Sequence, residues 1–161
     1  MKVLVYGYGN PGRQDDGLGN AFVNRIGQWV EEKGLKDFFF DSNYQLNIED
    51  ADEISDKDLV VFADASTEEI EDFCMSKVDE STKVAFTTHA ASPGYIVELC
   101  RRIYKKAPPV YLMHIKGYEW EFEEGLSSKA KGNLELAVAY FKEIMEDEAL
   151  VGEPDSLIKE C

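Results

Sequence analysis

The chain has 161 residues, 44% of them apolar, which fits one globular domain with a buried core. Its formal net charge of −15 would repel a phosphate backbone and argues against a nucleic-acid partner. No apolar run approaches the roughly 18 residues of a membrane span, and residues 1–10 lack a signal-peptide layout, so we expect a cytoplasmic protein without membrane contact.

The first half of the chain alternates between predicted strands and helices. Residues 2–6 are largely apolar, as expected for a central parallel strand that is covered on both faces. Apolar positions that step by three and four residues predict a helix over about 16–32, with Gly34 as its stop signal. We predict the second strand at 35–41 and the third at 59–63, with a loop and one short helix between them.

The second half continues the same alternation. Residues 67–81 are compatible either with a helical turn or with an edge strand around 73–78. A fourth strand is predicted at 83–87, and Ser92-Pro93 then opens a helix, since serine caps helices and proline favours their first position. The last strand, 110–115, precedes a final helix that begins near residue 128.

The C-terminal end and the cysteines carry weaker signals. From about residue 146 the chain is acidic, so we expect a single domain over 1–147 and a mobile acidic tail over 148–161. The three cysteines are odd in number, widely spaced and without a CxxC pair, which favours buried or incidental thiols over a disulfide framework or a cysteine zinc site.

The predicted order of elements is typical of a three-layer α/β fold with helices on both faces of a mostly parallel sheet. In such folds ligands bind outside the carboxyl ends of the strands. Three polar residues are predicted just past three of these ends: Asp16, Asp64 and His89. Two carboxylates and an imidazole with open positions suit a borderline divalent ion such as nickel or zinc.

Each of these residues also has an ordinary structural interpretation. Asp16 could cap the first helix, Asp64 could cap a turn, and His89 could be a hydrogen-bonded core histidine. What favours the site is their joint placement at strand ends. The other histidine, His114, lies within a predicted strand between apolar neighbours, so we expect it in the core.

The glycine motif at 7–12, GYGNPG, matches the dinucleotide-binding fingerprint as a pattern, with Asp41 at the place of a ribose-binding acid. The helix phase argues against that interpretation. The helix is predicted to begin near Asp16, several residues after the glycines, and the carboxylates of Asp15 and Asp16 would repel a phosphate. We therefore expect the glycines to bend the chain off the first strand.

Four segments together resemble the hydrogenase maturation endopeptidases, the proteases that trim the C-terminus of the large subunit of nickel–iron hydrogenases. In chain order they are GYGNPGRQDDGLG at 7–19, VVFADAS at 60–66, TTHAASPGYIVEL at 87–99 and EEGLSSKA at 123–130. The resemblance implies a three-layer α/β sandwich with a twisted, mostly parallel five-stranded sheet. The segment 116–125, KGYEWEFEEG, is more aromatic and acidic than the family leads us to expect, which suggests a distinct partner surface.

The resemblance also implies an activity: removal of a C-terminal extension from the hydrogenase large-subunit precursor after nickel insertion. Asp16, Asp64 and His89 would then be both the catalytic residues and the ligands of the nickel, which the precursor supplies and for which other divalent ions can substitute. Asp15 is a candidate general base or a residue that orients these ligands. Two alternatives stay open, a non-catalytic maturation factor that binds metal or a hydrogenase subunit, and a dinucleotide-binding oxidoreductase.

Overall fold

The computed structural model of the chain describes residues 1–79, 86–87, 90–147 and 153–161. Four helices lie in these residues: α1 (Leu18–Lys33), α2 (Asp50–Ser55), α3 (Pro93–Tyr104) and α4 (Ser128–Met145). The strands there are β1 (Val3–Tyr8), β2 (Phe38–Asn43), β3 (Leu59–Ser66), β4 (Phe73–Val78), β5 (Phe86–Thr87), β6 (Ala90–Ala91) and β7 (Val110–Lys116). Short 3-10 helices span Pro11–Gly17 and Pro154–Leu157.

The main sheet has five strands in the order β2-β1-β3-β7-β4. The first four run parallel, and β4 pairs antiparallel with β7 at one edge. Alternate residues of the central strands face opposite layers, so Val5 packs with α1 and α4, whereas Tyr6 packs with α2 and α3. Both faces of the sheet are covered, which confirms the predicted three-layer α/β architecture.

The segment predicted as the fourth strand, 83–87, does not supply a strand of this sheet. Phe86–Thr87 pairs with Ala90–Ala91 in a separate two-stranded ladder, and residues 83–85 lie outside the described residues. The sheet is completed by β4, the edge strand that the sequence left as one of two alternatives. Burial explains why 73–78 forms this strand, because Phe73 and Met75 both join the apolar cluster beneath α4.

The described part of the predicted mobile tail, residues 153–161, is packed against the sheet. Met75 and Lys159 exchange two backbone hydrogen bonds of 2.9 Å, and Leu157 is fully buried. A disulfide joins Cys74 to Cys161, with their Cα atoms 5.0 Å apart, so the expectation of incidental thiols is wrong for these two residues. Only Cys100 is a free thiol, and it is buried.

Nothing in the described ranges has the length and apolar character of a membrane-crossing helix.

Candidate active site

The glycines after β1 bring the chain against itself. A Cβ added to Gly7 would lie 2.2 Å from the carbonyl oxygen of Gly19 in α1, so the helix occupies the space that a side chain would need. Gly9 has φ of 141°, and a Cβ there would lie 2.1 Å from the carbonyl oxygen of Asp16. The motif therefore packs the chain's own backbone where a dinucleotide fingerprint would admit a pyrophosphate.

The segment after the glycines, Pro11–Gly17, is a 3-10 helix interrupted by a kink at Arg13 and Gln14. The helix α1 begins at Leu18, two residues later than predicted. Asn10 starts the 3-10 helix, because its side-chain oxygen accepts a hydrogen bond of 2.9 Å from the amide of Gly12. The Asp16 carboxylate accepts a hydrogen bond of 2.8 Å from the backbone amide of Asn10. This contact closes the turn and fixes the Asp16 side chain, which stays partly exposed.

Asp64 lies two residues before the end of β3, within the strand and not just past its end as predicted. Because Phe62 faces α2 and α3, alternation places the partly exposed Asp64 side chain on the same face. Burial and the nearby negative charge of Asp16 raise the pKa of Asp64 to about 7, against lesser opposing effects of hydrogen bonds from Ala65 and Tyr8. The structure thus brings the first two predicted residues together.

The third predicted residue, His89, lies outside the described residues. The described chain resumes at Ala90, the first residue of β6. Ala91 then donates a hydrogen bond of 3.3 Å to the carbonyl oxygen of Leu46, and Ser92 caps α3 as predicted. The role of His89 therefore stays a prediction from the sequence.

Asp15 is fully buried and has a structural environment that the sequence did not reveal. Its carboxylate accepts hydrogen bonds from the amides of Tyr118, Glu119 and Ser127 and from the Ser127 hydroxyl, at 2.7 to 3.0 Å. Burial alone would raise the pKa of Asp15, but these donors outweigh it and the pKa is lowered. Since a carboxylate with four donors and a lowered pKa is a poor proton acceptor, we assign Asp15 a positioning role for the loop 117–127.

His114 lies on β7, where it pairs in register with Asp64 of β3 on one side and with Cys74 of β4 on the other. Its Nε2 atom is 2.8 Å from the hydroxyl oxygen of Ser76, and burial lowers its pKa. The His114 ring is only partly buried, so the expectation of a core histidine is met in part. With Asp64 and Ser76, His114 forms a strip of polar side chains across the sheet. No local sequence pattern predicts this strip, because it depends on which strands pair.

Comparison with solved structures connects this arrangement to known proteins. The hydrogenase maturating endopeptidase HybD from E. coli superposes with a TM-score of 0.70 and 16% identity, over 91% of this chain and 93% of that one. The [NiFe] hydrogenase maturation protease HycI from Thermococcus kodakarensis gives a TM-score of 0.71 and 19% identity, again over 91% and 93%. The hydrogenase 2 maturation peptidase from a Thaumarchaeota archaeon gives 0.62 and 19%, over 90% and 98%.

The chain has the fold of a hydrogenase maturation endopeptidase. No protein-family model matches the sequence, and no curated protein matches it either. The likeness that the sequence motifs indicated is therefore confirmed for the fold, and the activity is argued from the site itself.

The donor chemistry of the Asp16 and Asp64 pair fits a divalent cation. Each residue offers carboxylate oxygens, and burial together with the negative charge of Asp16 raises the pKa of Asp64 in the absence of a cation. A divalent ion between them would replace this repulsion by attraction. Carboxylate oxygens together with an imidazole, as His89 would supply, are a ligand set compatible with nickel or zinc.

Proposed function

We propose that this protein is an endopeptidase that removes the C-terminal extension of a nickel–iron hydrogenase large-subunit precursor after nickel insertion. The observation that carries the proposal is the position of Asp64 near the carboxyl end of β3, close enough to Asp16 for that negative charge, together with burial, to raise the pKa of Asp64. Ligands bind at this edge in open parallel sheets. Solved structures with the same fold are described as hydrogenase maturation proteases, which supports this substrate class.

In this proposal the nickel belongs to the substrate. Asp16, Asp64 and His89 bind the ion carried by the precursor, which brings the scissile bond to the protease. A divalent ion at such a site polarises a carbonyl group or activates a water molecule for attack. Burial and the Asp64 charge raise the pKa of Tyr8, so its phenol stays protonated near the Asp64 carboxylate.

A cleft beside the Asp16 loop offers a place for the precursor's peptide. It is lined by Gly9, Pro11, Asn20, Ser42, Asn43 and Tyr44. The side-chain amide of Asn20 donates 2.6 Å to the Ser42 hydroxyl, while its buried Oδ1 atom has no hydrogen-bond partner among the described residues. We propose that this cleft, with Asn20 and Ser42 in its lining, holds the precursor's peptide.

The loop 117–127 supplies a second contact surface. The Arg13 guanidinium donates 3.1 Å to the carbonyl oxygen of Trp120 and lies 4.8 Å from the centre of the Phe122 ring. The Phe122 side chain is 84% exposed. Since Asp15 anchors this loop directly beside Asp16, the exposed ring can contact a folded precursor that presents its nickel to the site.

The test is a processing assay. Purified protein is incubated with each nickel–iron hydrogenase large-subunit precursor encoded in the same genome, in nickel-loaded and nickel-free forms, and loss of the C-terminal peptide is followed by mass spectrometry. We expect cleavage of one nickel-loaded precursor and none of its nickel-free form.

Two other outcomes would contradict the proposal. Stable binding of the nickel-loaded precursor without cleavage would identify a non-catalytic maturation factor. Equal cleavage of both forms would show a protease that does not recognise nickel. An Asp64→Asn variant, run in parallel, shows whether any cleavage comes from this site or from a contaminating protease.

A further inference from the structure

We propose that the reduced protein binds one zinc ion through Cys74, His114 and Cys161, at a site separate from the Asp16 and Asp64 pair. One ligand atom from each of these three residues lies within 4.8 Å of the other two. Two thiolates and an imidazole form a ligand set typical of zinc, with the fourth position left for water. The inference does not depend on the proposed protease activity.

The sheet places two of the three ligands. Cys74 of β4 and His114 of β7 are directly opposite each other in the antiparallel ladder, so their side chains lie on the same face. The Nε2 atom of His114 is 2.8 Å from the Ser76 hydroxyl, which leaves Nδ1 for an ion. A metal-bound imidazole is normally held through its other nitrogen, and Ser76 supplies such a contact.

Cys161, the third ligand, is held in place by the hydrogen bonds and packing of its segment as well as by the disulfide. Two backbone hydrogen bonds of 2.9 Å join Lys159 to Met75, and the Lys159 ammonium donates 2.9 Å to the carbonyl oxygen of Phe73. Leu157 is fully buried beneath this segment. These contacts keep Cys161 beside Cys74 after reduction, and its exposed side chain gives both a reductant and an ion access to the sulfur pair.

The disulfide and the zinc site are alternative states of the same two sulfurs. A dithiol reductant supplies two electrons and two protons, which break the S–S bond and leave two thiols, while the dithiol forms its own disulfide. Zinc binding then releases both thiol protons as the two Zn–S bonds form. Oxidation therefore excludes the metal, and the metal protects the thiols from oxidation.

Cobalt(II) serves as the spectroscopic probe for this site. Protein is reduced with dithiothreitol, separated from it anaerobically and titrated with cobalt, and the thiolate-to-cobalt charge-transfer absorption is followed. We expect one thiolate-bound cobalt per chain in the reduced protein, displaced by zinc, and no charge-transfer absorption in the oxidised protein. Cobalt bound at the Asp16 and Asp64 site gives no such band, because its ligands carry no sulfur.

Variants identify the ligands. Cys161→Ser should abolish the two-thiolate spectrum and weaken cobalt binding at least tenfold, and His114→Gln should weaken it to a similar extent. Cys100→Ser removes a buried thiol on α3 and is the matched control that should behave as wild type. Circular dichroism verifies the fold of each variant. Absence of the band in reduced wild-type protein, or its persistence in Cys161→Ser, would overturn the proposal.

Discussion

Burial and the neighbouring negative charge of Asp16 raise the pKa of the Asp64 carboxyl to about 7. The two residues come from different elements, the turn after β1 and the end of β3. Gly19 at the start of α1 packs closely against Ala63 of β3, where an added Cβ would lie 2.2 Å from the Ala63 carbonyl oxygen. A protein that needed only a cap or a turn at these positions would gain nothing from two like charges in proximity. Burial of Asp64 and this repulsion together are therefore the basis for predicting how stability depends on pH.

Replacing Asp64 by Asn should stabilise the protein at high pH only. An unfolded aspartate loses its proton near pH 4, whereas native Asp64 keeps it up to about pH 7. Between these values the unfolded state binds fewer protons than the native state, so native stability falls as pH rises and levels off above pH 7. In urea titrations without metal, Asp64→Asn should exceed wild type by at least about 1 kcal/mol at pH 8 and match it at pH 4.

Exposed Glu32 on α1 provides the control for this measurement. Glu32→Gln also removes one negative charge and should leave the shape of the pH profile unchanged. An equal gain for Asp64→Asn at pH 4 and pH 8 would mean that Asp64 is not protonated in the native state at neutral pH.

Loss of a proposed nickel ligand should remove processing without unfolding the protein. Asp16→Asn and His89→Gln should each lower the cleavage rate by about 100-fold or more, since even residues that only orient metal ligands contribute about 10- to 100-fold.

His114→Gln should destabilise the protein but leave its cleavage rate largely intact, because His114 contacts Ser76 within the sheet. If His114→Gln abolished cleavage while His89→Gln did not, His114 and not His89 would be the nickel ligand.

Much of the fold follows from local sequence signals. Apolar runs indicate the central strands, and the serine caps at Ser92 and Ser127 mark the starts of α3 and α4. Pairing between distant segments leaves no such signal. The segment 73–78 becomes a strand because β7 is beside it, and Cys161 pairs with Cys74 across 87 residues of sequence.

In the candidate site, too, local motifs predict some residues, while contacts between distant segments determine their surroundings. The order of motifs indicated Asp16 and Asp64, and the structure brings them together. Adjacent Asp15 looked equivalent in sequence, yet the 3-10 helix turns it inward onto the loop 117–127 and leaves Asp16 partly exposed. Four hydrogen-bond donors lower the pKa of Asp15, whereas burial and the Asp16 charge raise the pKa of Asp64. Only the surrounding structure determines this difference between the two carboxyl groups.

Asp15 should be essential for stability. Asp15→Ala would leave buried donors of Tyr118, Glu119 and Ser127 without an acceptor, and each unpaired buried donor costs about 1–3 kcal/mol. We expect a loss of at least about 3 kcal/mol in the free energy of unfolding at pH 7. Because the native pKa is lowered, this contribution is present above the unfolded pKa and declines as pH falls through the native one.

Ser127→Ala is the graded comparison for Asp15. It removes one donor to Asp15 and the cap of α4 but keeps the three backbone donors, so its loss should be smaller than that of Asp15→Ala. The two variants together separate a structural role of Asp15 from proton transfer. A stable Asp15→Ala protein that no longer cleaves the precursor would restore Asp15 as a candidate base.

Gly7 and Gly27 test the explanation of the glycine motif. At Gly7 a Cβ would lie 2.2 Å from the carbonyl oxygen and 2.5 Å from the carbonyl carbon of Gly19, and neither backbone atom can move without shifting α1 off β1. Gly7→Ala should therefore lower the free energy of unfolding by about 3 kcal/mol or more, as overpacking of rigid contacts does. Nothing lies within 4 Å of a Cβ at Gly27 in α1, so Gly27→Ala should raise it by about 0.5–1 kcal/mol. Thermal unfolding compares both variants with wild type, and calorimetric titration with NAD and FAD should show no binding to any of the three. A stable Gly7→Ala protein, or a wild-type protein that binds either dinucleotide, would return the motif to the dinucleotide interpretation.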